Sequence, residues 1–189
     1  MKLFSLMFII GISLVSFNCN DDEEGSSGSA DLFYDMGPNS APLFNEGTFR
    51  AAVRFPRSLI RNFEGETMDR VSFFLVNLPN NCLIQIYDEG STDTPGPLLY
   101  EADLTASVRA NSWNEHSLDT PITLTDRELW IAVEFTHTDQ RNTIGCDVGP
   151  AIENGDWVID LNNQSSWSSY RDFTSNAVSI NWNIRGFIE

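Results

Sequence analysis

Apolar and polar side chains alternate along much of the chain, with the period of two residues that is typical of half-buried β-strands. In the segment TFRAAVRF, every second side chain from Phe49 to Phe55 is apolar, and the arginines fall on the other face. The segment VSINWNIRGFI alternates in the same way, with Trp182 at an apolar position and with Asn183 and Arg185 at polar positions. The pattern predicts two strands that each bury one face.

Two other segments, RVSFFLVNL and ELWIAVEF, are apolar at nearly every position, as expected for central strands that are covered on both sides. The second of them predicts that Trp130 is buried. One or two turns of helix are predicted in PRSLIRNF, with Pro56 at the start. Turn sequences such as NLPNNC, DEGSTDTPGP and NNQSSWSS separate the strands closely enough for an antiparallel meander or Greek key. The predicted fold is therefore all-β, an antiparallel β-sandwich of the jelly-roll type.

The chain has 189 residues, which is the usual size of one domain with a single core. Its formal net charge is −16, and no cluster of lysine or arginine interrupts this excess of acid. Such a chain repels phosphate backbones and anionic lipid headgroups. The charge therefore argues against a nucleic-acid partner.

The N-terminal sequence MKLFSLMFIIGISLVSF places Lys2 before an apolar run that is shorter than the about 20 residues needed to cross a bilayer. This pattern predicts a signal peptide over residues 1–18. Cys19 follows directly, at the position that is acylated in bacterial lipoproteins; the alternative is a plain secretory signal with an incidental cysteine. Residues 19–30 are acidic and then rich in glycine and serine, as in a flexible tether. The folded domain is predicted over residues 31–189.

An acidic group directly follows Cys19 in the segment CNDDEEGSS and consists of Asp21, Asp22, Glu23 and Glu24. This segment resembles the export signal of Bacteroidetes-type surface lipoproteins, although an asparagine stands before the cysteine where a small residue is usual. The resemblance implies an outer-membrane protein that is exposed at the cell surface and held to the membrane by a lipid anchor.

The two remaining cysteines, Cys82 and Cys146, have two possible states. An extracytoplasmic compartment favours a disulfide between them. Alternatively, they are two separate buried thiols that behave as small hydrophobic side chains. The sequence leaves both open, because bridging requires the two Cα atoms to lie close together.

No catalytic or metal-binding motif stands out in the sequence. His116 and His137 are isolated, and no zinc spacing, GxSxG elbow or phosphate-binding loop is present. The loop from Asp88 to Asp93 is rich in oxygen ligands and is either a cation site or, as we favour, a polar turn. We therefore predict no catalytic residue, no cofactor and no metal.

Aromatic side chains supply the candidate ligand-binding residues, since exposed rings can stack on sugars or anchor a protein partner. Trp167 and Tyr170 lie in the polar segment QSSWSSYRD and are the best candidates for surface aromatics; the alternative, which we favour for Trp167, is that it folds back over one end of the sandwich. Arginines on the predicted strand faces either line a groove for an acidic sugar or, as we favour, pair with the surplus acids. The candidate ligand-binding residues are Trp113, Trp157, Trp167, Tyr170, Asn183 and Arg185.

Segments such as AAVRF, MDRVSFFL, PGPLLYEADL, ELWIAVEFTH, GCDVGPAIENGDW and INWNIRGFI occur in this order between Ala51 and Ile188. Together they resemble a β-sandwich accessory module of secreted and surface proteins of the Bacteroidetes, often joined to peptidases or adhesins. The resemblance implies a non-catalytic role outside the cytoplasm. We therefore expect a lipid-anchored surface module that binds glycan or protein. The alternatives are a structural or assembly subunit that docks onto another outer-membrane protein and, ranked last, a hydrolase.

Overall fold

The computed structural model describes residues 31–189. Strand content is 47% and helix content 7%, and several antiparallel sheets pack together in a sandwich-like arrangement, which confirms the predicted mostly β fold. The predicted signal peptide, the predicted lipidation site Cys19 and the acidic residues Asp21 to Glu24 lie outside the described residues. In the part that is described, no helix is both long and apolar enough to cross a membrane.

The strands are short and follow one another closely. In chain order they are β1 (Leu43–Phe44), β2 (Gly47–Phe55), β3 (Thr67–Leu75), β4 (Asn81–Tyr87), β5 (Leu98–Asp103), β6 (Ser112–Thr123), β7 (Leu129–His137), β8 (Arg141–Asn142), β9 (Trp157–Asp160), β10 (Ser168–Ser169) and β11 (Ile184–Ile188). The helical segments are α1 (Arg57–Ile60), a 3-10 helix (Arg61–Phe63) and α2 (Tyr170–Phe173).

A six-stranded antiparallel sheet, which we call the main sheet, has the order β10-β9-β2-β7-β4-β5. Its central strands β2 and β7 pair along their whole length, from Gly47 opposite His137 to Phe55 opposite Leu129. Trp130 of β7 is 0% exposed. The predicted central position of ELWIAVEF is therefore confirmed.

A three-stranded antiparallel sheet, the small sheet, has the order β11-β3-β6, and β1 pairs with β8 in a third, two-stranded sheet. The hydrophobic core contains side chains of both larger sheets, such as Val53 and Ile131 of the main sheet and Phe73 and Ile184 of the small sheet. The apolar face of TFRAAVRF is buried in this core, as predicted. This burial of one face of each sheet supplies most of the driving force for folding.

The predicted helical segment after β2 is confirmed in type and place. Pro56 is the N-cap of α1, and the chain continues directly into the 3-10 helix. Ile60 is the buried residue of this segment. Because Ile60 belongs to the hydrophobic core, the connection between β2 and β3 packs against that core.

The C-terminal strand is shorter than predicted, since it begins only at Ile184. Asn181 and Asn183, which the alternation placed on a polar outer face, are 1% and 0% exposed. Asn181 Nδ2 donates to Asp147 Oδ2 at 2.9 Å, and Asn183 Nδ2 donates to Asp35 Oδ1 at 2.8 Å. Buried carboxylates thus accept from the side-chain amides that the sequence pattern assigned to solvent, and the predicted strand is wrong before Ile184.

The two cysteines are separate, buried and free in the structure, so the disulfide alternative is wrong. Cys82 lies in β4, opposite Phe135 of the main sheet. Cys146 lies outside the named strands, and its backbone forms isolated antiparallel β-bridges with Ser40 and with Trp182. Burial raises the pKa of each thiol to about 12, which keeps both protonated at neutral pH.

Candidate functional site

The outer face of the main sheet carries a second, smaller apolar cluster. Its buried members are Ala52, Tyr87, Trp130, Ala132, Ile159 and Trp167, and the half-buried Trp157 packs against them. The strand register brings these residues together, because Ala52 of β2 lies opposite Trp157 of β9 and Arg54 lies opposite Trp130 of β7. Side chains that are opposite one another or two residues apart along a strand share a face.

Trp130 lies between the other two tryptophans of this cluster. Its ring centroid is 5.0 Å from that of Trp157 and 5.8 Å from that of Trp167. Trp167 is only 8% exposed, so it is not a surface aromatic. The buried apolar ring of Trp130 gives Trp167 a surface to pack on. Trp167 therefore folds back, and it packs on the outer face of the main sheet.

Glu128 accepts hydrogen bonds from both Trp130 and Arg54. Its Oε1 accepts a hydrogen bond from Trp130 Nε1 at 3.0 Å, and its Oε2 accepts from Arg54 Nε at 3.0 Å and from Arg54 Nη2 at 2.6 Å. Burial acts to raise the pKa of Glu128, but the hydrogen bonds from Arg54, Trp130 and Gly90 outweigh burial and leave the pKa below its ordinary value. The resulting carboxylate holds the Arg54 guanidinium 5.6 Å from the Trp130 ring centroid.

A cleft of about 460 Å³ opens beside these side chains, and we call it the tryptophan cleft. The loop between β4 and β5, the segment before β9 and the segment around β10 and α2 form its walls. Its lining includes Trp157, Trp167, Arg54, Arg171, Asp93, Glu153, Asp156 and Asp172. The volume is within the range of about 300–1,000 Å³ that is usual for small-molecule sites.

Asp156 and Arg171 form an ion pair in the tryptophan cleft, and the carboxylate of this pair is buried. Asp156 is 1% exposed, and its Oδ2 accepts from the backbone N of Arg171 at 3.2 Å and from Arg171 Nε at 3.4 Å. Burial raises the pKa of Asp156, and the contacts with Arg171 oppose that shift. Within residues 31–189, neither Nη atom of Arg171 has a hydrogen-bond partner, and its side chain is 38% exposed. One edge of this guanidinium is therefore anchored, and the other is available to a ligand.

Tyr170, the other predicted surface aromatic, is buried. It starts α2, for which Ser169 is the N-cap and accepts from Asp172 N at 3.1 Å. Tyr170 is 5% exposed, and its ring packs edge-on against Trp182 at a centroid distance of 5.0 Å. Burial raises the pKa of Tyr170 to about 12. The short helix that places Tyr170 in the core was not apparent from the serine-rich sequence.

Three candidate residues, Trp113, Asn183 and Arg185, lie away from the tryptophan cleft. The strand registers place Trp113 and Arg185 on the outer face of the small sheet, where the Arg185 guanidinium is 4.1 Å from the Trp113 ring centroid. Arg185 also donates from Nε and Nη2 to the two Asp35 oxygens at 3.0 and 2.6 Å. Asn183 is fully buried and is not accessible to a ligand. The predicted residues therefore do not form one site.

The arginines of the strand faces do not line a groove for an acidic sugar. Arg50 pairs with Glu134 at 2.7 Å, Arg54 pairs with Glu128, and Arg185 pairs with a buried aspartate. The arginines of the strand faces thus pair with the surplus acids, which is the alternative that the sequence favoured.

No group of three or more histidine, cysteine, aspartate or glutamate side chains in residues 31–189 is placed to hold a metal ion. In the loop between β4 and β5, Asp88 pairs with Arg127 at 2.7 Å. His116 forms a 2.7 Å hydrogen bond with a tyrosine hydroxyl, and His137 contacts the Thr143 hydroxyl. These contacts give the loop and both histidines structural partners.

No protein-family model, no curated protein and no solved structure matches this chain. The comparisons therefore identify no family for the segments that resemble a Bacteroidetes accessory module. The structure shows a mostly β domain of antiparallel sheets.

The charged residues that shape the tryptophan cleft were not predicted from the sequence. Asp156 precedes the candidate Trp157, and Arg171 follows the candidate Tyr170. Proximity to these aromatics was the only available signal. The contact between Asp156 and Arg171 joins residues that are 15 positions apart and depends on how β10 pairs with β9.

Proposed function

We propose that this protein is a non-catalytic binding module that holds a neutral glycan in the tryptophan cleft. The observation that carries the proposal is the position of the half-buried Trp157 beside the unpaired edge of Arg171 in one concave site. An indole ring offers a rigid apolar surface to the C–H face of a sugar. Guanidinium donors and carboxylate acceptors match the hydroxyl groups around that sugar.

The charge of the tryptophan cleft favours a neutral glycan over an acidic one. Four carboxylates line it, those of Asp93, Glu153, Asp156 and Asp172, against the guanidinium groups of two arginines. The chain as a whole carries a formal charge of −16. A uronate or sulfate group would meet repulsion from both sources, whereas a hydroxyl pair can donate hydrogen bonds to a carboxylate.

The shape of the cleft favours a glycan over a folded protein partner. A stable protein interface usually buries about 800 Å² on each side, over a broad surface. The tryptophan cleft is a depression of about 460 Å³, with its half-buried indole beside the charged rim. One or a few sugar units fit such a depression better than the surface of a globular partner.

The charged side chains of the cleft support binding without hydrolysis. The carboxyl group with the raised pKa, Asp156, is 1% exposed and accepts two hydrogen bonds from Arg171. A general acid has to reach the leaving oxygen of the substrate directly. We therefore assign Asp156 the role of positioning Arg171.

A Trp157→Ala variant tests the proposed glycan site. We expect the affinity for the bound neutral oligosaccharide to fall about 10- to 100-fold, because an aromatic side chain at the centre of a site is often worth about 2 kcal/mol. The measurement is screening of the purified protein on a glycan array, followed by calorimetric titration with the best oligosaccharide. Mass spectrometry of the recovered oligosaccharide should find it uncleaved.

The matched control is Trp113→Ala, which removes a tryptophan from the outer face of the small sheet and should leave glycan binding in the tryptophan cleft unchanged. Near-ultraviolet circular dichroism verifies that both variants are folded. Wild-type affinity in folded Trp157→Ala, or no neutral glycan bound by the wild type, would rule out the proposed site. Cleavage of the oligosaccharide would instead favour a hydrolase.

Assembly onto another outer-membrane protein is a second candidate function. It is favoured by the outer face of the small sheet, where Trp113 and the 46% exposed Phe33 both lie against the Arg185 guanidinium. The same two variants separate the functions. If a stoichiometric partner copurifies from native membranes and is lost in Trp113→Ala but not in Trp157→Ala, this second function gains support.

We also propose that the protein is exported, acylated at Cys19 and displayed at the outer surface of the outer membrane. The support is the sequence order of an apolar run, a cysteine and the acidic residues Asp21 to Glu24. A Cys19→Ser variant is expected to move from the membrane fraction to the soluble fraction after cell fractionation, because it has no thiol to acylate. Cys82→Ser, the same change inside the fold, should remain with the membranes. Membrane association of Cys19→Ser would contradict the anchor.

A further inference from the structure

A second cleft, of about 340 Å³, lies between the N-terminal part of the fold and the ends of several strands. We call it the amide cleft, because its lining includes Asn39, Asn77, Asn111 and Asn142. The remaining lining residues are Pro38, Ser40, Ala41, Phe74 and Val76. None of these side chains is charged, although the chain carries a formal charge of −16.

Three of the amides in this cleft are tied to the backbone through their nitrogen atoms. Asn77 Nδ2 donates to the carbonyl of Asn142 at 2.7 Å, Asn142 Nδ2 donates to the carbonyl of Ala41 at 2.6 Å, and Asn39 Nδ2 donates to the carbonyl of Gly37 at 3.3 Å. Within residues 31–189, the Oδ1 atoms of Asn39, Asn77 and Asn142 have no hydrogen-bond partner. Each of these amides therefore keeps one acceptor and one N–H for a ligand.

Backbone hydrogen bonds connect the walls of the amide cleft to each other. Val76 N donates to the carbonyl of Thr143 at 2.8 Å, and Asn111 N donates to the carbonyl of Val76 at 3.2 Å. Ser40 N donates to the carbonyl of Cys146 at 3.0 Å. Walls that are held in this way need little ordering when a ligand binds, which lowers the entropic cost of binding.

We infer that the amide cleft binds one neutral sugar unit. A hydroxyl group both donates and accepts, as a side-chain amide does, so the two are matched partners. Phe74 is half-buried at the cleft and offers an aromatic surface for the C–H face of the sugar. The absence of charge in the lining gives an ionic ligand no counter-charge. The inference rests on the proposed function only for the ligand class, since the amide cleft and the tryptophan cleft share no lining residue.

The test is a titration of the isotope-labelled protein, followed by nuclear magnetic resonance. The probes are the methyl glycosides of glucose, galactose, mannose and N-acetylglucosamine, with sodium glucuronate as the charged comparison. We expect at least one neutral glycoside to shift the side-chain amide signals of Asn77 and Asn142 in a saturable manner. Glucuronate should not shift them.

An Asn77→Ala variant should bind that glycoside about 3- to 10-fold more weakly, the effect of losing one neutral hydrogen-bonding partner. Asn77 is exposed, so the variant is expected to fold. Asn45→Ala is the matched control, because it removes another exposed amide that does not line the cleft, and it should bind as the wild type does.

The outcomes separate this inference from the proposed function. No saturable shift at Asn77 and Asn142 with any neutral glycoside, unchanged affinity in Asn77→Ala, or an equal response to glucuronate would each overturn it. Shifts confined to residues around Trp157 would also overturn it, while supporting the proposed function. Saturable shifts in the amide cleft that persist in Trp157→Ala would support it, even if the tryptophan cleft binds nothing.

Discussion

An Asp35→Ala variant is expected to lose about 3–5 kcal/mol of unfolding free energy, the loss that follows when one partner of a buried ion pair is removed. Asp35 is 1% exposed and lies before the first strand of the fold. Its Oδ1 accepts from Gly37 N and from Asn183 Nδ2, each at 2.8 Å. Its two oxygens also accept from Arg185 at 2.6 and 3.0 Å.

The large expected loss has two causes. Without the Asp35 carboxylate, the buried Nδ2 of Asn183 keeps no partner, and a buried donor without an acceptor costs about 1–3 kcal/mol. The Arg185 side chain, which is 26% exposed, would also lose its counter-ion in a partly desolvated place. The N-terminal segment around Gly37 would in addition lose a contact that connects it to the C-terminal strand.

Urea denaturation followed by tryptophan fluorescence measures the loss. The control is Asp139→Ala, which breaks the pair between Asp139 and Arg141, whose side chains are 57% and 32% exposed. Exposed pairs contribute about 0–1 kcal/mol, so this variant should unfold close to the wild-type midpoint. Equal shifts of the urea midpoint in the two variants would show that the buried Asp35 stabilises the fold no more than the exposed Asp139 does.

A Trp182→Ala variant is also expected to lose about 3–5 kcal/mol, the usual range for truncating a buried large aromatic side chain. Trp182 is 0% exposed and packs against Tyr170 and Phe44 at centroid distances of 5.0 and 6.3 Å. Its Nε1 donates to the carbonyl of Trp157 at 2.9 Å. The substitution would leave a cavity in the core and remove the indole donor from the Trp157 carbonyl.

Thermal and urea unfolding measure this effect, with Trp113→Ala as the control. Trp113 is half-buried on the outer face of the small sheet, where it lies 4.1 Å from the Arg185 guanidinium and packs edge-on against Phe74 at a centroid distance of 5.8 Å. Losing a cation–π contact and some packing should cost about 1–2 kcal/mol. If the two variants were destabilised equally, Trp182 would not have the central place in the core that its burial indicates.

The strand pattern allowed much of the fold to be predicted, because the alternation that places Phe49 and Val53 on one face follows directly from strand geometry. The predicted start of the C-terminal strand was wrong because polar side chains in that segment are buried. Asn181 and Asn183 fit the solvent face of a strand equally well, and only the carboxylates of Asp147 and Asp35 explain their burial. The jelly-roll type of the sandwich stays a prediction.

The candidate site was predicted only in part. The candidate aromatic residues differ in exposure, since Trp157 is half-buried while Trp167 and Tyr170 are buried, and their role in binding stays a prediction. The burial of Trp167 depends on the neighbouring Trp130, which lies 37 positions earlier in the chain. Arg171 was not selected, because nothing local shows that Asp156 holds it at a cleft.

The sequence by itself determined the mostly β fold, the burial of Trp130 and Trp182 and the expectation of an anchor at Cys19. Only the tertiary structure decided which side chains share a site, with Trp157 in the tryptophan cleft and Trp113 on the small sheet. The physical reason is that periodicity is a local property, whereas sheet register joins distant residues. The pair of Asp35 and Arg185 spans 150 positions, and no local pattern of the chain encodes it.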